Sequence, residues 1–233
     1  MAADKNILKP GSGDPTVSAK MLDILLGCYW VTKSVSQEKG EGGIFPNPNM
    51  AITAYDFGET SLRAQIQVLA TDTVKYQEFK SALFPTTVGR LLFNSILPSD
   101  YPYVNKEIDR KVLQEIVNTL IETKDLQTTA RIMDRIKEFG FKYATKSGIT
   151  WGLDDLEVPV KKKGIVDKSL ARANEVTAHY EEGLLSEDEH YRKTIGIWQE
   201  TRLEIEKLMP DTLDPNGPVH DMLKSGARGQ IGS

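Results

Sequence analysis

Ser225-Gly-Ala-Arg-Gly-Gln-Ile-Gly-Ser233 combines one permanent cation, Arg228, with three glycines, Gly226, Gly229 and Gly232. Glycine admits positive φ and lets the backbone come close to a ligand. A guanidinium offers a planar fork of donors that matches phosphate oxygens. The combination predicts a loop that receives an anionic group, with Arg228 as an inward-facing cation framed by Ser225, Gly226 and Gly229. Its alternative is a solvated glycine-rich tail. Arg90, closing Thr86-Thr-Val-Gly-Arg90, is a second candidate for a phosphate contact. Pairing with a buried carboxylate or carbonyl is its structural alternative.

Five acids, Glu181, Glu182, Glu187, Asp188 and Glu189, cluster around one short turn. A charge run of this kind is ordinarily a solvated face. At the end of a projecting element it also makes a docking surface for a basic partner. The remaining chemistry-bearing residues carry less. His179, His190 and His220 have no neighbours at a recognised metal-ligand spacing, so they read as solvent-facing or helix-capping. Asp154-Asp155 suggests Mg²⁺ only weakly and reads as a turn or cap. The sequence has no Walker loop, no nucleophile–base pair and no dinucleotide fingerprint, and no residue is assigned to a metal.

Helices and one strand must position these residues. Met21, Leu25 and Tyr29 fall at helical spacing, with Ser18 as the expected N-cap. Lys39-Gly-Glu-Gly-Gly43 breaks the chain, and Pro46 with Pro48 is expected to keep it extended. Leu62, Ala64, Ile66 and Val68 alternate with Arg63, Gln65 and Gln67, the pattern of a half-buried strand. Asn105 is expected to open a helix whose stripe is Ile108, Val112, Leu113, Ile116, Val117 and Leu120. Asp125 caps the next, with Ile132, Met133, Ile136 and Phe139 inward and Gly148 at its end. Trp151 to Pro159 reads as extended. Asp167 is then expected to cap a helix, and Ser186 with Glu189 forms a capping box for another that ends at Pro210. Two helices joined by so short a turn pack antiparallel, giving an αα-hairpin over residues 167–209 with Trp198 in its seam. The predicted fold class is α+β, mainly α.

Composition narrows the function classes. At 233 residues and 39% hydrophobic, with a mean hydropathy of -0.36, the chain has the apolar content for a core. Its longest apolar stretch, Met21 to Val31, is interrupted by Asp23 and Gly27, which excludes a spanning helix there. A lone cysteine, Cys28, excludes a disulfide framework and suits a reducing cytoplasm. A net charge of -4 argues against a nucleic-acid module as a whole.

Nine short segments, in order, resemble one family, the largest (β′) subunit of bacterial RNA polymerase. They are Asn6-Ile-Leu-Lys-Pro-Gly-Ser-Gly-Asp-Pro15, Leu26-Gly-Cys-Tyr-Trp-Val-Thr32, Lys39-Gly-Glu-Gly42, Thr86-Thr-Val-Gly-Arg90 and Ile96-Leu-Pro98. Ala144-Thr-Lys-Ser-Gly148, Gly152-Leu-Asp-Asp-Leu-Glu-Val-Pro159, Tyr180-Glu-Glu-Gly-Leu184 and Ser225-Gly-Ala-Arg-Gly229 follow. Each is weak alone; the ordered set is specific.

The resemblance implies a middle portion of that subunit. Residues 1–98 would form a pore region. Residues 99–233 would form a funnel lining the secondary channel that admits nucleoside triphosphates, with the hairpin as rim helices. The Arg228 loop would then lie near the incoming triphosphate, and Arg90 would be a lesser channel residue. Implied partners are the β, α, ω and σ subunits, secondary-channel regulatory factors on the acidic tip, and DNA and RNA through the whole complex. The family's Mg²⁺-binding motif, Asn-Ala-Asp-Phe-Asp-Gly-Asp, is absent from this sequence. The chain alone is therefore expected to bind no cofactor and to be inactive. Mid-protein sequence after Met1, and an end inside the glycine loop, give the expectation of a fragment. The rival is a free-standing helical adaptor that docks proteins through an acidic-tipped hairpin.

Overall fold

The computed structural model describes residues 22–80 and 82–229, so Ser18, Met21, the Asn6–Pro15 segment and Gly232 lie outside the described residues. Helix α1, Leu22–Thr32, buries Ile24, Leu25, Cys28, Tyr29 and Val31. Burial pushes the Cys28 thiol up to about 12, consistent with a small core hydrophobe rather than a nucleophile. Helix α5, Leu126–Ser147, crosses α1 with backbone almost touching backbone. A Cβ on Gly27 would lie 2.0 Å from the Gly140 carbonyl oxygen, and one on Gly140 2.6 Å from that of Ile24. Only a glycine pair permits this approach.

Three strands form a mixed sheet in the order β1 (Ile44–Phe45), β2 (Gln65–Leu69), β3 (Leu83–Thr87). β1 runs parallel to β2, and β3 antiparallel, with Ile66 opposite Thr86. Ala64, Ile66 and Val68 are fully buried, as their alternation predicts. α2 (Pro48–Asp56) and α3 (Val88–Ile96) pack beside the sheet, and α4 (Arg110–Thr123) packs against α5. α2 corrects the extended reading of Pro46 and Pro48. Pro48 occupies the first helical position, where its missing N–H costs nothing, and the Asn47 side chain accepts from the Met50 N–H. α4 begins after Asp109, which accepts from the Val112 N–H at 2.8 Å. Asn105 is therefore not the cap. Asp125 and Gly148 do bound α5, the latter at φ +59°.

The described residues divide into two compact units, one running to Thr150 and including Asp221–Gly229, the other spanning residues 151–220. The first holds one apolar core, from Ile24 through Phe93 to Tyr143. In the second, Leu153–Asp155 is a single 3₁₀ turn inside the stretch read as extended. α6 is Lys162–Glu181 and α7 Glu187–Thr212. Asp167 lies within α6 rather than capping it, because nothing in Lys161-Lys-Lys163 stops the helix from starting earlier. α7 likewise runs through Pro210, which sits in its last turn, where only one hydrogen bond is lost.

α6 and α7 run back along one another. The Thr201 hydroxyl donates to Ser169 Oγ at 2.7 Å, Arg172 pairs with Glu200, and Tyr180 stacks on His190. Ser169, Ala173, Ile197 and Thr201 form the seam, whereas Trp198 is 38% exposed. Trp198→Ala should thus cost only about 1–2 kcal/mol, against roughly 2–5 kcal/mol for Ile197→Ala. Urea midpoints of the two variants check this, and a larger loss for Trp198 would return that ring to the seam.

Candidate functional site

The glycine loop is a built structure rather than a tail. Helix α8, Pro218–Ser225, buries Asp221 and Ser225, two residues at the i, i+4 spacing of one helix face. Gly226 ends it at φ +77°, the left-handed position that only glycine takes freely, and donates its N–H to the Leu223 carbonyl. The Arg228 N–H bonds back to the Met222 carbonyl at 3.1 Å, and the Ala227 N–H to Ser225 Oγ at 3.2 Å. Ser225 and Ala227 are buried, Gly226 is half-buried, and Gly229 repeats the left-handed turn at φ +75°.

Two cations from distant segments hold this loop. Arg110, at the start of α4, donates from Nη2 to the Gly226 carbonyl. Lys33, just past the end of α1, places Nζ 2.6 Å from Asp221 Oδ1, with both side chains more than nine-tenths buried. Arg228 itself is exposed, correcting its reading as an inward-facing cation. Its fork stands at the surface of an ordered turn, where an anion can reach it.

Arg90 has a different setting. Its Nε donates to the Thr32 carbonyl at 2.9 Å, and Nη1 reaches the Asn105 carbonyl and Oδ1 at 3.4 and 3.3 Å. Burial lowers its affinity for the proton, while the nearby Glu107 carboxylate opposes that. These bonds join α1 to α3 and to the segment before α4, the carbonyl pairing given above as the structural alternative. Thr32 completes the junction by accepting the Ile108 N–H at 2.9 Å. Tyr29 lies beside it, its hydroxyl pushed up by burial and then by Glu107 and Asp221.

Glu181, Glu182, Glu187, Asp188 and Glu189 are all exposed around the turn between α6 and α7. They differ in what they do locally. Glu189 forms the capping box: its carboxylate accepts from the Ser186 N–H and hydroxyl at 2.9 and 2.8 Å. The Ser186 N–H, then its hydroxyl, holds that carboxyl below its usual range. The folded pKa being the lower one, this capping contribution is present above the ordinary carboxylate pKa and fades as pH falls through the lowered value. Glu187 and Asp188 occupy the first turn of α7, where the helix dipole favours negative charge. Glu181 and Glu182 end α6, where it disfavours it. Asp155 is a local cap, accepting from the Gly152 N–H at 2.7 Å.

Residues 6–156 match the family model described as RNA polymerase Rpb1, domain 3. The chain belongs to that family. The Rpb1 domain 3 match takes in α1 through α5 and the sheet, and stops short of α6, α7 and the Arg228 loop. Those segments are covered by similarity to curated proteins. The β′ subunit of DNA-directed RNA polymerase from Desulforamulus reducens is 39% identical over 99% of this chain. That from Pelotomaculum thermopropionicum is 36% identical over 99%, and that from Thermobifida fusca 38% over 98%. The chain spans 19%, 19% and 18% of those proteins' lengths. Among the described residues of this Rpb1 domain 3 chain, no helix is long and apolar enough to cross a membrane.

Proposed function

We propose that this chain serves within a DNA-directed RNA polymerase β′ subunit, where it lines the secondary channel that delivers nucleoside triphosphates. The similarity to β′ subunits along 99% of the chain carries this reading. Arg228 is the substrate-facing residue, and its guanidinium offsets triphosphate charge as the nucleotide arrives. An exposed cation on a turn bonded by Arg110, at the end of a helix paired to Lys33, supports that role, since positioning is what a phosphate contact requires. Ser225, Gly226 and Gly229 shape the turn. Arg90 contributes by joining α1, α3 and the α4 approach rather than by touching substrate. The Mg²⁺ that supports nucleotidyl transfer is held by carboxylates outside this chain. The other polymerase subunits, and DNA and RNA through them, are the partners of the assembled enzyme.

In a reconstituted polymerase, Arg228→Ala should slow nucleotide addition and raise the triphosphate concentration needed. A charge-assisted contact worth roughly 1.5–3 kcal/mol corresponds to about tenfold to a hundredfold. Transient-state addition kinetics at limiting and saturating triphosphate measure it. Wild-type kinetics in both regimes would remove Arg228 from the site.

The acidic turn is the docking point for basic regulatory proteins that reach the channel mouth. Glu181 and Glu182 support this, because acids at the C-terminal end of α6 weaken the helix rather than stabilise it. Changing Glu187 and Asp188 together with Glu182 to lysine should slow association with a basic factor at least about tenfold at low salt. The loss should shrink as salt rises. Stability should hold to within about 1 kcal/mol, since these side chains are exposed. Factor binding at low and high salt is the measurement; unchanged association would leave the acids as a solvated turn.

A further inference from the structure

The chain leaves the first unit after Thr150 and rejoins it at Asp221, four residues before the glycine loop. The residue at which it rejoins makes the most deeply buried ion pair among the described residues. Lys33 and Asp221 are 188 positions apart, and their side chains are 8% and 4% exposed. Both sit where a helix favours their sign. Lys33 donates its N–H to the Tyr29 carbonyl, extending the last turn of α1, whose C-terminal end favours a cation. Asp221 lies in the first turn of α8, whose N-terminal end favours an anion. A buried ion pair is a poor source of stability compared with apolar packing, but its defined geometry can select one register. An apolar contact is non-directional and would constrain the rotation of α8 less.

The consequence falls on Arg228. Asp221 and Ser225 share one buried face of α8, and the backbone from Met222 to Arg228 closes on itself through the Arg228 N–H. Fixing Asp221 therefore fixes the turn that displays the guanidinium. Arg110 holds the same turn directly, through the Gly226 carbonyl.

We propose that the Lys33–Asp221 pair is a positioning device for Arg228, registering the returning helix so that the guanidinium meets the triphosphate. This rests on the reading of Arg228 as the triphosphate contact. Lys33 and Asp221 touch no substrate and act only through the placement of the loop. A displacement of about 1 Å at a reacting group can lower rate on the order of a hundredfold, so a modest shift of α8 suffices.

The test uses the reconstituted polymerase and single-nucleotide addition, with the apparent triphosphate KM and the saturating rate determined separately. Lys33→Met and Asp221→Asn should each raise KM about tenfold or more, with a smaller change in the saturating rate. Lys33→Arg, which keeps the charge, should recover most of the loss. The deciding variant is Lys33→Met combined with Arg228→Ala. If the pair acts through Arg228, the combination should be no worse than Arg228→Ala alone. Multiplying losses would show that the pair matters only for general integrity, and would overturn the proposal. So would a wild-type KM for Lys33→Met in an enzyme where Arg228→Ala raises it. A wild-type KM for Arg228→Ala would instead overturn the reading of Arg228 itself. Should the single-charge variants fail to assemble, Lys33→Met with Asp221→Leu removes both charges at once. It should assemble and show the raised KM, and a wild-type KM there would also overturn the proposal.

Discussion

Gly27→Ala should unfold the chain at markedly lower urea, with a loss of about 3 kcal/mol or more. The added Cβ would sit 2.0 Å from the Gly140 carbonyl oxygen and 2.6 Å from the Ala144 nitrogen, both backbone atoms of α5. No rotamer change relieves a clash between backbone and Cβ, so α1 and α5 must separate. Overpacking commonly costs about 1–3 kcal/mol, and more where the neighbour cannot give. The separation would also open the core around Phe139 and Tyr143, which pack from α5 onto the same cluster. Gly148→Ala is the control. It meets open space but holds φ +59°, so it should cost only the strain of a left-handed alanine, about 1 kcal/mol. Equal midpoints for the two variants would mean that the crossing is not close-packed.

Much of this fold was legible because its signals are local. The period-two alternation from Leu62 to Val68, and the stripe from Val112 to Leu120, depend only on neighbours along the chain. Asp125 with Gly148, and Ser186 with Glu189, mark helix ends by the chemistry of orphan backbone groups. The misplaced boundaries came from residues with two meanings. Pro48 fits an extended segment and the first turn of a helix equally well, and the Asn47 cap decides between them. Asp167 resembles a cap, yet the lysines before it are good helix formers and carry α6 back to Lys162. Trp198 falls at the right spacing for the seam, but small residues such as Ser169 and Ala173 let α6 and α7 approach through Ile197 and Thr201 instead. The Gly27–Gly140 contact left no periodic trace at all.

The candidate site divides in the same way. The loop's glycines announced its left-handed turns, and Gly226 and Gly229 take them. The order of short segments pointed to the family that the comparisons establish. What holds the loop was invisible, because Lys33 and Asp221 lie on segments with no shared pattern. The only available hints were a lysine directly after the apolar run of α1 and an aspartate four residues before Ser225. Neither says that the two meet. Arg90 was ambiguous for a related reason: a half-buried guanidinium satisfied by carbonyls has the same sequence as one that binds phosphate.

Removing either partner of the Lys33–Asp221 pair should destabilise the chain by roughly 3–5 kcal/mol, because each substitution breaks a buried ion pair from one side. Lys33→Met removes the ammonium beside an Asp221 side chain that is 4% exposed, and Asp221→Leu removes the carboxylate beside a Lys33 side chain that is 8% exposed. The combined Lys33→Met, Asp221→Leu chain should be more stable than either single variant, and within about 2 kcal/mol of the parent, since two apolar side chains replace two charges of similar volume. Urea denaturation of the four chains, with m-values compared to exclude a change in what unfolds, closes the cycle. Additive losses would mean that the two side chains act independently and that their 2.6 Å approach contributes nothing to the fold. A strongly non-additive cycle, together with a double variant that folds well yet uses triphosphate poorly, would separate the two consequences of the pair. That result would mean that apolar packing replaces the pair's stability contribution but not its registering of α8.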